Sequence, residues 1–220
     1  MSDLKSTAKR RRTTANAIEH AIRKSDEEFI AQYLQPSPSW TEWIHPRTDA
    51  KYTISLISSG ALAEKDLKSC LSLVEETSRA DYEPSSLGWK PAKKLDEMKS
   101  PELRYIVVKD GQGDIRGFTS LMPTYEEGQP VVYCYEIHLK GELQGTRLGK
   151  LLISFLEDVA VNVPTVEKVM LTCFTSNKRA LDFYKKLGFK KDDISPEPRR
   201  LRYGKEVVPD YVIMSKVVGK

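Results

Sequence analysis

Hydrophobic and polar positions alternate with period two in several short stretches of this chain and recur with helical period in the stretches between them. Lys51–Ser58 (KYTISLIS) alternates as a half-buried strand does, and Ser59 and Gly60 follow as a turn. Residues 103–109 (LRYIVVK) and 115–122 (IRGFTSLM) are two further strand signals, joined by the turn residues Asp110-Gly111-Gln112-Gly113. A second turn at 124–130 leads into 131–139, where Val131, Val132, Tyr133, Tyr135, Ile137 and Leu139 favour a strand. Lys168–Phe174 is nearly all apolar, as a strand buried on both faces is, and 210–217 (DYVIMSKV) closes the series.

The helical stretches fall between these strands. From Thr13 to about Leu34, Ile18, Ala21, Ile22, Phe29, Ile30 and Tyr33 recur at helical spacing and predict one long amphipathic helix. Pro36, Pro38 and Pro46 end it in an extended connector, where Trp40 and Trp43 anchor it to the core. A helix over 62–79 presents Leu67, Leu71 and Val74 on one face, and a more apolar one covers 147–161. Residues 177–187 place Ala180, Leu181, Phe183, Tyr184 and Leu187 inward, and Gly188 stops that helix. Residues 85–94, with Gly88, Trp89 and Pro91, form a loop or a short helix. The sum is a mixed α/β domain without internal repeats: an antiparallel meander, a β–loop–α–β–α unit and a final strand. Residues 1–50 read as a basic helical extension packed on a domain spanning 51–220.

Composition narrows the class. With 40% apolar and 30% charged residues the chain reads as a soluble globular protein. No apolar run approaches the ~20 residues of a membrane span, and the N-terminal charges have no apolar core behind them, so neither a membrane protein nor a secretory signal is expected. Cys70, Cys134 and Cys173 lie far apart without metal-ligand spacing, which predicts no metal site, no disulfide framework and a reducing compartment. The net charge of +4 sits in the N-terminal tail: residues 1–24 carry seven Lys/Arg against Asp3 and Glu19. The run Lys9-Arg10-Arg11-Arg12 serves nuclear import, docking to nucleic acid or ribosome, or merely a solvated helix start.

The chemistry concentrates at 131–150. A strand, a small glycine-bearing loop and a helix N-terminus aim unpaired backbone N–H groups and the positive end of the helix dipole at one spot, which suits phosphate. Glu136 is a carboxylate inside the otherwise apolar strand just before that loop. By the residues alone it is equally a buried general base or half of a structural salt bridge.

Gln144-Gly145-Thr146-Arg147-Leu148-Gly149 followed by Asn177-x-x-Ala180-x-x-Phe183-Tyr184-x-Lys186-x-Gly188-Phe189 resembles the GNAT acetyltransferase superfamily. In that family the first motif, Q/R-x-x-G-x-G/A, cradles the pyrophosphate of acetyl-coenzyme A. Here Arg147 replaces its first glycine, which implies a helical backbone at Arg147 and a side chain turned outward. The segments 82–90 (YEPSSLGWK), 133–136 (YCYE) and 169–174 (VMLTCF), with Tyr211, are similar to one branch, the NatD N-terminal acetyltransferases of histones.

That resemblance implies a GNAT acyl-CoA N-acyltransferase fold: a mixed, mostly antiparallel sheet flanked by helices, with the N-terminal helical extension. It implies acetyl transfer from acetyl-CoA, with CoA as product, to the α-amine of histones four and two-A, whose tails begin Ser-Gly-Arg-Gly. It also implies a monomer without auxiliary subunit, in nucleus and cytoplasm. Glu136 becomes the favoured base, its pKa raised by burial, and Tyr135 reaches the peptide if the strand carries the bulge common in the family. Without a bulge, Tyr133 and Tyr135 lie on the face opposite Glu136 and Cys134. The backbones of Ile137, His138 and Leu139 fall to the acetyl and pantetheine portion, and Gln144 to Gly149, Lys150 and Asn177 to the rest of the cofactor. Tyr82, Trp89, Thr124, Glu126, Glu127, Tyr135, Thr172 and Tyr211 fall to the peptide, the two glutamates to its arginine. Thr124 stands where the family has an acid. Trp89 is a pocket wall or a core anchor.

Other readings of single residues remain open. A lone strand histidine such as His138 usually faces solvent, Cys134 lacks the partners of an acyl-carrying nucleophile, and Asn177 also suits a helix cap. The role of Tyr184 as an acid for the leaving thiolate is undecided. The competing functions are a GNAT acting on lysine side chains or small amines, and a catalytically silent module that binds histone tails.

Overall fold

The computed structural model describes residues 17–200, 202 and 206–219. The Lys9–Arg12 run and the start of the first predicted helix lie outside the described residues. A sheet of eight strands runs in the order β1 (Glu42–Ile44), β2 (Lys51–Ser58), β3 (Arg104–Lys109), β4 (Ile115–Glu126), β5 (Gln129–Leu139), β6 (Lys168–Phe174), β10 (Tyr211–Val217) and β7 (Lys190–Lys191). Among the described residues its one parallel pair is β5–β6; the other neighbours are antiparallel. A separate hairpin joins β8 (Arg199–Arg200) to β9 (Glu206–Val207).

Helices cover both faces. Helix α5 (Leu148–Asn162) buries Leu148, Leu152, Leu156 and Val159 against Leu121, Val132, Cys134 and Leu171, together with the N-terminal helices and Tyr184 of α6 (Lys178–Lys186). On the opposite face α3 (Glu64–Tyr82) and α4 (Pro91–Met98) bury Leu67, Leu73, Val74 and Met98 against Tyr105, Val107, Phe118 and Met122. Strand alternation assigns each residue to one cluster or the other.

The predicted long N-terminal helix is broken into two. Residues 17–23 form α1, and Ser25 then caps α2 (Asp26–Phe29), which widens into a π turn over Ile30–Leu34. Ser25 and Glu28 form a reciprocal capping box. The break lets Arg104, 3% exposed, donate to the Ile22 and Lys24 carbonyls (3.2 and 2.5 Å) and lie 4.1 Å from the Phe29 ring centroid. Asp26 beside it accepts the Ser58 N–H at 2.8 Å and so ties the helix start to β2. Helical periodicity runs through this point because both helices bury the same face.

Three smaller differences also have local causes. The connector after Pro38 contains β1, an edge strand on β2, with Trp43 against Tyr52 (5.5 Å) and Trp40 edge-on to Phe155 (5.8 Å). Of the loop or short helix expected over 85–94, both occur: the loop ends at Pro91, the first residue of α4, where a missing N–H costs nothing. The expected seven-residue turn at 124–130 shrinks to Glu127 (φ 47°) and Gly128 (φ 77°), a two-residue hairpin turn with both φ positive.

Candidate active site

The site is created by two irregularities in the sheet. Along β5, Glu136 pairs with Ser120 but Cys134 pairs with Leu121, so Tyr135 is an extra residue in a β-bulge. The bulge inverts part of the expected alternation. Tyr133, opposite Met122, shares the face of Glu136, opposite Ser120, whereas Cys134 goes to the other face with α5. Second, the parallel pairing of β5 with β6 stops at Cys134 and Leu171. Beyond it the strands part around a cleft of about 850 Å³.

Backbone polarity follows from the register. The Lys140 N–H donates to the Arg116 carbonyl, and His138 lies opposite Phe118. Alternate residues of a strand direct their backbone groups to opposite sides. Those of Ile137 and Leu139 therefore face the cleft, where Gln144 Nε2 donates to the Leu139 carbonyl at 3.0 Å. The His138 backbone turns to β4 instead, which corrects its expected place among the cofactor's main-chain contacts.

Past the strand, Gly145 (φ 74°) and Arg147 (φ 70°) both take the left-handed conformation that carries the chain into α5. Arg147 is thus not helical, as expected from its position, but left-handed at the N-cap; its side chain is exposed. Among the described residues no side chain caps this helix end, so the amides of Leu148, Gly149 and Lys150 remain available to a ligand. Gly149 leaves a close approach open: a Cβ there would lie 3.3 Å from Phe183 Cζ and 3.6 Å from Leu139 Cδ1. Arg147, Lys150 and Arg179 bring positive charge to the cleft. These donors suit a diphosphate followed by a long, thin chain, the shape of coenzyme A. The side chains of Thr146 and Leu148 turn inward, Thr146 donating to the Leu143 carbonyl, so only their amides are offered. Asn177 lines the cleft, yet its Oδ1 accepts the Ala180 N–H (3.0 Å) and its Nδ2 donates to Asp81 (3.1 Å).

At the other end of the cleft Glu136 has a partner on each oxygen. Lys94 Nζ of α4 lies 3.0 Å from Oε1, and His138 Nε2 lies 2.6 Å from Oε2. Lys94 also pairs with Glu97 at 2.9 Å and stands 5.1 Å from the Tyr82 ring centroid. Burial pushes the Glu136 carboxyl upward, but the His138 hydrogen bond and the Lys94 ammonium outweigh it and hold the pKa below the ordinary range. This reverses the expected rise: desolvation raises a carboxyl pKa only where no donor answers it. Burial also opposes the charge on Lys94, and there Glu136, Tyr82 and Glu97 prevail, keeping its pKa above the lysine range. His138 does not face solvent; it is 9% exposed.

Around this group Tyr82, Glu126, Tyr133, Tyr135 and Thr172 line the cleft. Tyr135, at the bulge, is 42% exposed. The Tyr133 hydroxyl lies 2.6 Å from Thr172 Oγ1, and burial pushes its pKa up to about 12. Burial raises Glu126, with neighbouring Glu127 adding to it. Trp89 packs against Tyr82, ring centroids 5.5 Å apart, at the margin of the α3–α4 cluster. Thr124, Glu127 and Tyr211 stand off the cleft wall; Tyr211 pairs with Phe174 at the start of β10. Burial pushes Cys134 up to about 12 and Tyr184 well above the tyrosine range, so both stay protonated at neutral pH. Lys94, Arg179 and Phe183 are cleft residues that sequence reading missed; only the inward face of the last helix pointed to Phe183.

A sheet split beside a bulged strand, with an uncapped helix N-terminus at the split, defines a site for an acyl-coenzyme A. Residues 70–189 match the model of the Acetyltransferase (GNAT) family, more than half of the chain, and the protein belongs to that family, whose acyl donor is acetyl-CoA. It is 33% identical over 174 residues to N-alpha-acetyltransferase 40 of Saccharomyces cerevisiae, a match spanning 65% of this chain and 60% of that protein. The fold resembles Arabidopsis thaliana NAA60 solved with a bisubstrate analogue (TM-score 0.53, 12% identity, 76% of this chain and 98% of that one). It also resembles spermidine N-acetyltransferase from Vibrio cholerae in complex with CoA and spermine (TM-score 0.51, 18% identity, 74% and 95%). At these identities the two structures share the fold with this chain.

Proposed function

We propose that the protein acetylates the N-terminal α-amine of histones whose tails begin Ser-Gly-Arg-Gly, with acetyl-CoA as donor and CoA as product. The observation that carries this reading is one continuous cleft from the uncapped N-terminus of α5 to an ionised carboxylate, with hydroxyls and a second acid beyond it. The relative named an N-alpha-acetyltransferase supports the acceptor class.

Bound acetyl-CoA supplies an activated acetyl thioester whose thiol leaves. The amides of Leu148 to Lys150 and the Ile137 backbone hold and orient it along the split strands. A free α-amine has a pKa of ~7.7–8.0, so an appreciable part is neutral near pH 7.5. Its nitrogen grows more acidic as it bonds to the carbonyl carbon, and Glu136, ionised, takes the proton that leaves it. Tyr133 and Thr172 offer hydroxyls to a small first residue such as serine, and Glu126 offers its carboxylate to the arginine at the third position. On this reading the protein acts alone, as a monomer, in nucleus and cytoplasm.

Ser-Gly-Arg-Gly peptides, the same peptides with a blocked N-terminus and an internal lysine, and polyamines are the acceptors to compare. Acetylation of the free α-amine alone supports the proposal. Product on lysine or polyamine overturns it, and cofactor binding without turnover points to a silent tail-binding module.

A further inference from the structure

His138 is buried beneath the cleft, and its ring is held at both nitrogens. Nε2 lies 2.6 Å from Glu136 Oε2, and Nδ1 lies 2.6 Å from Thr77 Oγ1 on α3. The Thr77 hydroxyl has a second acceptor in reach, the Leu73 carbonyl at 2.8 Å. It owns one hydrogen and can rotate it to either. When the ring carries two protons, Nδ1–H donates to Thr77 and Thr77 donates to Leu73. When the ring is neutral, Thr77 turns its hydrogen to Nδ1. In both states Nε2–H remains on Glu136, and no heavy atom has to move.

We propose that His138 is a positioning residue for Glu136: the ionised carboxylate, which can only accept, holds the ring with Nε2–H donating to it, and Thr77 serves Nδ1 in either state, keeping one oxygen directed and ionised while the other serves the acceptor. Lys94 on Oε1 is the group that the acceptor's amine displaces or joins, being the only other partner of the carboxylate among the described residues. The titratable and charged groups within electrostatic reach of the pair are Tyr82 from α3, Lys94 and Glu97 from α4, Tyr105 from β3, Cys134 on the other face of β5 and Tyr184 from α6. The ring itself packs on Phe118, with centroids 5.5 Å apart, so its plane is fixed from the apolar side as well.

This inference rests on Glu136 as the base, and two measurements separate its failure from failure of the proposed function. The first needs no turnover: imidazole nitrogen NMR of the full chain. The neutral His138 should be the Nε2–H tautomer, and it should remain so in Thr77→Val and Thr77→Ser, because the Glu136 carboxylate at Nε2 can only accept. A wild-type Nδ1–H tautomer overturns the proposal. The second is the kcat profile with whichever acceptor is turned over. His138→Leu should lower kcat at least about tenfold, less than the loss of a base, with KM for acetyl-CoA unchanged. The loss should be deeper at pH 6 than at pH 9, because Glu136 without that donor protonates at higher pH. His138→Gln, which returns an N–H, should recover part of the rate. A uniform loss across pH, unrelieved by glutamine, would reduce His138 to a packing residue.

Discussion

The hydroxyls of Tyr133 and Thr172 meet at 2.6 Å across the gap where β5 and β6 part. The pairing ends at Cys134 and Leu171, so Tyr133 still belongs to the paired part of β5 while Thr172 is the first residue past it on β6, and their contact closes the sheet at the inner end of the cleft. Because burial holds the Tyr133 pKa at about 12, the pair is a hydrogen-bonding surface and not a source of base at neutral pH. Tyr133→Phe and Thr172→Val should each raise KM for a serine-initiated peptide several-fold, in line with the ~1 kcal/mol of a hydrogen bond. The KM for acetyl-CoA should stay within twofold. A kcat loss of two orders of magnitude in Tyr133→Phe would make the phenol part of the chemistry.

Glu136→Gln should cut kcat by about 10²-fold or more, the usual worth of a general base, with cofactor affinity nearly unchanged. Equal loss of both would make Glu136 structural. The sign of the pH dependence follows from its depressed pKa: Glu136 is already ionised throughout the neutral range. The rise of kcat/KM between pH 6 and 9 should then belong to the acceptor's amine and level off above ~8. Peptides whose α-amine has a lower pKa should move that rise downward by the same amount. A rise fixed in place across such peptides would assign it to the enzyme.

The sheet, the helices on it and the loop before α5 are legible in the sequence because periodicity and turn residues are local signals. The site is less so. Strand alternation fails at Tyr135, since a one-residue bulge reverses which side chains share a face, and nothing in residues 131–139 marks where it falls. Glu136 was readable as a lone acid in a strand, but its partner Lys94 lies 42 residues away on a helix that begins within 85–94, a stretch the sequence left as loop or short helix. His138 carried no sign of burial because its partner Thr77 lies 61 residues off. Helical spacing ran unbroken through Ser25, where a capping box and Arg104 divide the helix. Arg147 was visible as a departure from glycine, though its consequence, a left-handed residue, is the opposite of the helical one expected.

Arg147 should therefore separate stability from affinity. Its left-handed backbone costs about 1–2 kcal/mol in a non-glycine residue, against about 0.5–1 kcal/mol for the extra freedom of an unfolded glycine. Arg147→Gly should leave thermal stability unchanged or slightly raised. The same change removes a cation from the cleft and should weaken acetyl-CoA binding several-fold, more at low salt than at high salt. Calorimetry for the unfolding and titration with CoA at two ionic strengths check both halves. A clear loss of stability would show that the guanidinium holds the loop.

Asp192 offers a test of what supports the outer sheet. It is buried, accepts from Lys168 Nζ at 2.7 Å and from the Ile194 N–H at 3.2 Å, while its own N–H donates to the Ile213 carbonyl of β10. Burial raises its carboxyl, but these donors prevail and its pKa is lowered. A lowered folded pKa means stability that is fully present above the unfolded value of ~3.9 and is lost as pH falls through the folded one. Asp192→Asn should cost up to about 3 kcal/mol at pH 7, since Lys168 keeps its charge without a partner. In acid the wild-type carboxyl is protonated too, so the gap between the proteins should narrow toward pH 2. Urea unfolding at the two pH values measures it. A gap of equal size at both would mean that Asp192 acts through shape and neutral hydrogen bonds, with no charge involved.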